Sequence, residues 1–119
     1  MTFDDYAEAA RLTYKGPPGH EHMLLNAALG IAGEAGEVAD SLKKSRYPSK
    51  PGDGISSYSA LVEELGDVLW YVSLACDGLG VSLGEVAERN LAKLSRRHAA
   101  GGNAASHDAT APGSHANRK

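Results

Sequence analysis

Apolar residues recur along this chain at the spacing of one helical face, and they do so four times. Phe3, Ala7, Ala10 and Tyr14 form the first such face. Thr2 stands in front of it as an N-cap, with Asp5 at the third helical position, so a helix is predicted over residues 3–13. Gly16-Pro17-Pro18-Gly19 breaks it, and His20 and His22 follow in a solvated loop or a helix entry. A second helix is predicted over 21–44, on the ridge Leu24, Ala28, Ile31, Ala35, Val38 and Leu42. A Pro- and Gly-rich loop fills 45–56. A third helix is predicted over 57–79, with the ridge Leu61, Leu65, Val68, Val72, Ala75 and Leu79, ended by Asp77, Gly78 and Gly80. Ser82 and Glu85 make a capping box for a fourth, running to about residue 98 on Leu83, Ala87, Leu91 and Leu94. Beyond it the chain turns to Ala, Gly, Ser, Asn and His without periodicity. That composition reads as a disordered tail over 99–119, which leaves one all-α domain of four helices over 1–98.

The stripe one position before each ridge carries the chemistry. In the second helix it reads Met23, Ala27, Gly30, Glu34, Glu37, Ser41, and in the third Ala60, Glu64, Asp67, Tyr71, Leu74. Each helix therefore sets two acids at i and i+3 among apolar and small residues, in the same phase relative to its ridge. Such pairs share a helix face, and two antiparallel helices aim all four at one point, as in bundles that build metal sites from facing helices. Two carboxylates about 5 Å apart repel by roughly 3 kcal/mol at an effective dielectric near 20. Stability alone does not select that cost, and a divalent cation removes it. Oxygen donors without clustered imidazole or thiolate favour Mg²⁺ or Mn²⁺ over zinc or copper. A di-iron bundle is excluded by its need for Glu-x-x-His, because no Glu here has His three residues later. Gly30, Gly33 and Gly36 each cost about 1 kcal/mol relative to Ala inside a helix, and close approach of a backbone or ligand is the expected return. The fourth helix carries Asn90, Lys93 and Arg97 in the equivalent phase, suited to phosphate oxygens or to a solvated helix end. Lys43, Lys44, Arg46 and Lys50 form a second basic group, favoured at a helix C-terminus by the dipole alone.

Bulk properties narrow the partners. The 119 residues carry a net charge of −3, which argues against a nucleic-acid polymer, since Lys and Arg supply that affinity. No apolar run approaches the roughly 20 residues that span a membrane, and no signal peptide is evident, so a cytoplasmic protein is expected. The single cysteine, Cys76, falls in an apolar pattern and reads as a core residue. A short bundle with few aromatics buries limited surface alone, which favours a multimer.

These residues resemble the MazG-type nucleoside triphosphate pyrophosphohydrolases, of the all-α NTP pyrophosphatase superfamily. The likeness rests on Glu34-x-x-Glu37 followed by Glu64-x-x-Asp67, on the flanking runs 24–38 and 63–71, and on the segment 90–94. Isolated pairs such as Glu37-x-x-Asp40 and Glu85-x-x-Glu88 carry no weight beside the doubled motif in its Gly-rich, apolar context. The resemblance implies a four-helix MazG-like bundle, dimeric or tetrameric, that hydrolyses a nucleoside triphosphate to the monophosphate and pyrophosphate with Mg²⁺. It implies Glu34, Glu37, Glu64 and Asp67 as metal ligands, Glu34 or Glu37 as the base, and Tyr71, Asn90 and Lys93 as substrate contacts. Trp70 suits packing, a subunit contact or base stacking. A broad housecleaning enzyme, a dUTP- or dCTP-specific hydrolase and a non-catalytic helical interaction module are the readings to separate.

Overall fold

The structure of the protein is a computed structural model that describes residues 1–51 and 58–108. Among the described residues there are four helices, α1 (Phe3–Arg11), α2 (His20–Arg46), α3 (Tyr58–Leu79) and α4 (Leu83–Asp108), which is the predicted all-α fold. They fall into two compact units, Met1–Val86 and a second from Ala87 onward.

The predicted caps set the helix ends. Thr2 and Asp5 exchange hydrogen bonds in a complete capping box at the start of α1. Gly80 closes α3 with φ +68°, where its N–H reaches the Asp77 carbonyl and that of Val81 reaches Cys76. This is the paired pattern of a Schellman stop, in which glycine takes the left-handed conformation without penalty. The Glu85 N–H donates to Ser82 Oγ at 3.0 Å and opens α4. That helix runs ten residues past the predicted end, through Ala99, Ala100, Ala104 and Ala105, because alanine keeps a helix going without an apolar stripe. The remainder of the predicted tail, 109–119, and residues 52–57 of the predicted loop lie outside the described residues.

In the first unit α2 and α3 form an antiparallel pair. A Cβ added at Gly78 would lie 2.8 Å from the Leu24 nitrogen and 3.0 Å from the His20 carbonyl oxygen, so the two backbones nearly touch there. His20 Nδ1 donates to the Gly78 carbonyl at 3.3 Å beside this crossing, which makes His20 part of the helix entry. Further along, the Tyr71 ring lies over Gly30 in the place a Cβ would take. The close approach expected at Gly30 is therefore made by a side chain of α3. At Gly33, Gly36 and Gly66 nothing lies within 4 Å of the Cβ position.

Burial is shared between the predicted ridge and the stripe one position before it. On α2 Ala27 is fully buried, Gly30 and Glu34 of the stripe are half-buried alongside Leu24, Ile31 and Val38 of the ridge, and the ridge residues Ala28, Ala35 and Leu42 are exposed. On α3 Leu74 of the stripe is buried and the ridge residues Leu61, Val68, Val72 and Ala75 are half-buried, while Leu65 and Leu79 stand 57% and 61% exposed. A pair of helices covers the line between them and only part of the adjoining ridge, so the acidic stripe lies toward the partner helix and some ridge residues stay uncovered. Because the helices are antiparallel with matching phase, both ridges fall on the same side of the pair.

On another side α1 packs across α3. The Trp70 indole donates to Thr13 Oγ1 at 2.8 Å, Tyr14 tilts against it with centroids 6.4 Å apart, and Arg11 pairs with Asp77 at 4.0 Å. Asp4 accepts the Gly84 N–H at 3.0 Å, tying the first turn of α1 to that of α4. Trp70 thus serves as a packing residue between α1 and α3. Cys76 is buried, as the pattern predicts, and is a free thiol. No described helix is long and apolar enough to cross a membrane.

Candidate metal centre

The α2/α3 register brings Glu34 opposite Glu64 and Asp67. One carboxylate oxygen from each of the three lies within 4.8 Å of the others, with Glu34 and Glu64 half-buried and Asp67 exposed. Glu37 stands one turn further along α2, exposed and outside that cluster. Its charge still reaches the site. Desolvation raises the Glu64 pKa first, and the charges of Glu34, Glu37, Asp67 and Glu63 raise it further. The group is therefore a self-repelling knot of negative charge held in place by the helix pair.

Its chemistry fits a hard divalent cation. All the donors are carboxylate oxygens, and no cysteine or histidine belongs to the cluster. Two oxygens on opposite sides of one Mg²⁺ stand about 4.2 Å apart, twice a bond of about 2.1 Å. The observed spread is only slightly wider, within reach of a side-chain rotation on fixed helices.

The other predicted site residues are placed as follows. Tyr71 lies one turn after Asp67, half-buried, with its ring over Gly30 and edge-on to Trp70 at 4.9 Å between centroids. Asn90 and Lys93 lie on α4 in the second unit, on a stretch exposed from Glu88 to Gly101. Of the basic residues near the end of α2, Lys43 and Lys44 both pair with Asp40, at 3.5 and 2.5 Å, and Arg46 lies over the Tyr47 ring.

Sequence reasoning passed over Tyr6. This α1 residue is half-buried, and burial together with the Asp67 charge pushes its phenol pKa up. The available signal was weak: a lone aromatic after two acids on a short helix, with nothing to show which part of the chain it meets.

Comparison with known proteins agrees with this geometry. A family model described as the MazG nucleotide pyrophosphohydrolase domain matches residues 22–101. Gene 37 protein of Mycobacterium phage L5 is 42% identical over 72 residues, which cover 58% of this chain and 60% of that relative. The match thus spans less than two thirds of the relative's length. No solved structure matches the chain. The family match takes in more than half of the chain, from the first turn of α2 into α4 and across all four acidic positions, and the chain belongs to the MazG nucleotide pyrophosphohydrolase domain family.

Proposed function

We propose that the protein hydrolyses nucleoside or deoxynucleoside triphosphates to the monophosphate and pyrophosphate, with Mg²⁺ or Mn²⁺ as cofactor. The observation that carries this reading is the convergence of Glu34, Glu64 and Asp67 within 4.8 Å, on a chain whose family is that of nucleotide pyrophosphohydrolases. These three side chains would hold the cation. When bound, Mg²⁺ offsets the charge on the phosphate oxygens and lets an anionic substrate dock on an acidic surface.

The protein's own groups then have distinct tasks. Glu37 stands outside the cluster and keeps a free carboxylate, which makes it the better acceptor for the proton of the attacking water than Glu34. Water adds to phosphorus, the bond between the α- and β-phosphates breaks, and the proton passes to Glu37. Tyr71, one turn beyond Asp67, would contact the nucleotide; Asn90 and Lys93, by the family resemblance, are groups whose amide and ammonium suit phosphate or sugar oxygens.

The same reading places a second copy, in a homodimer or homotetramer, over the apolar ridges. Ala28, Ala35, Leu42, Leu65 and Leu79 share one side of the helix pair and are exposed in the single chain. Housecleaning of the cytoplasmic nucleotide pool is the corresponding role.

The test is pyrophosphate release from a panel of canonical and noncanonical nucleotides, with and without Mg²⁺. Release is expected only with the metal, and Glu64→Gln is expected to reduce it at least about a hundredfold with helical content unchanged. Turnover of dUTP or dCTP alone would narrow the enzyme to a pyrimidine hydrolase. No turnover of any nucleotide would leave the non-catalytic interaction module as the surviving reading.

A further inference from the structure

Along the antiparallel register of α2 and α3, what stands between the two backbones changes layer by layer toward the acids. At the first layer a Cβ on Gly78 would lie 2.8 Å from the Leu24 nitrogen, so backbone meets backbone. Ala27 and Leu74, both buried, come next. Then the Tyr71 ring fills the place of a Gly30 Cβ, with both residues half-buried. Glu34 lies four residues beyond Gly30 on α2, and Asp67 four residues before Tyr71 on α3, so each acid shares the face of the residue that makes this contact. Tyr71 on Gly30 is therefore the packed layer adjoining the carboxylates.

The ring is held in that seat. Trp70 stands edge-on to it at 88° and 4.9 Å between centroids, and the indole is itself fixed by Thr13 Oγ1 at 2.8 Å. Glu34 and the acids of α3 would reach a shared ion from opposite helices, and bonds of about 2.1 Å tolerate little change in the gap between them. We propose that Gly30 and Tyr71 form a spacer for the metal centre. The ring seated on the glycine sets the α2/α3 separation at which Glu34, Glu64 and Asp67 converge, and any side chain at position 30 would eject it. Gly30 is thus a positioning residue that acts through Tyr71 on the acids. The assignment rests on the cation reading above and adds to it what sets the geometry of the site.

The experiment measures Mn²⁺ binding to the full chain without nucleotide, through the electron paramagnetic resonance signal of the free ion, at a temperature where circular dichroism shows each variant folded. Gly30→Ala is expected to weaken binding by about tenfold, the scale on which residues supporting metal ligands act. Gly33→Ala adds the same methyl next to Glu34 where nothing lies in its way, and should hold the affinity within about twofold. Tyr71→Ala removes the ring and should weaken binding as Gly30→Ala does, whereas Tyr71→Phe keeps the ring and should retain the wild-type affinity. Should Gly30→Ala lose helical content, the two Tyr71 variants carry the test. Unchanged affinity in the folded Gly30→Ala or in Tyr71→Ala overturns the spacer, as does an equal loss in Gly33→Ala or Tyr71→Phe. A wild-type protein that binds no Mn²⁺ removes the cation reading itself, whereas a wild type that binds it with unmoved variants removes only the spacer.

Discussion

The two ends of the α2/α3 pair use the same residue type in opposite ways. At one end Gly78 lets the backbone of α2 come within bonding range of α3, and the His20 imidazole seals the crossing. At the other, Gly33, Gly36 and Gly66 stand beside Glu34, Glu37 and Asp67 with nothing near their Cβ positions. Glycine at the first end is spent on helix contact. At the second it leaves space around charges that repel one another. One end is closed by contact, and the other is open around its acids.

Three measurements sharpen or break that contrast, in falling order of expected size. If the acidic end is a cation site, Mg²⁺ at about a hundred times its dissociation constant should stabilise the fold by roughly 2.7 kcal/mol. A melting temperature unmoved by Mg²⁺ would show the acidic end to be mere surface. The next measurement pairs two alanine substitutions. Gly78→Ala pushes a methyl into the backbone of α2, and overpacking of this kind costs about 1–3 kcal/mol, partly offset by the better helix propensity. Gly66→Ala meets no neighbour, so the same propensity should stabilise the isolated chain by up to about 1 kcal/mol. Chemical denaturation of the two variants should move in opposite directions, and a common sign would refute the difference between the ends.

The smallest effect concerns α1. Backbone and side-chain hydrogen bonds with Thr2 hold the Asp5 carboxyl below its ordinary range. The folded-state pKa is the depressed one, so the cap contributes fully above the unfolded pKa and is lost as pH falls through the folded value. Amide exchange in the first turn of α1 should therefore accelerate on acidification below about pH 4, ahead of the α2/α3 core. Exchange that accelerates uniformly across the unit would show that α1 is not separately held.

How much of this was legible in the sequence depended on the range of the interaction. The i, i+3 acids inside apolar stripes at Glu34, Glu64 and Asp67 announced a shared site because helix geometry alone places them. The caps at Thr2 and Ser82 and the stop at Gly80 are likewise local, and they mark helix ends well. The ridges were only partly the buried line, since periodicity shows that a helix has an apolar side but not which edge of it a single neighbour covers. Ala28 and Ala35 look as core-like as Ala27 until the register with α3 is known. Spacing puts Glu34 and Glu37 on one face but not which of the two a side-chain rotation brings to Glu64 and Asp67, and here that is Glu34. Tyr6 was out of reach for a plainer reason: α1 packs on α3 across some sixty residues of chain, and no pattern within α1 records which residues it meets there.

The hydrogen bond from Gly84 to Asp4 carries a mechanical consequence. Peeling α1 away from α3 requires the Asp4 carboxylate to let go of the opening turn of α4. Fraying at the beginning of the last helix and exposure of Tyr6 are thereby one event, so a leader or tag that strains the opening residues would loosen both together.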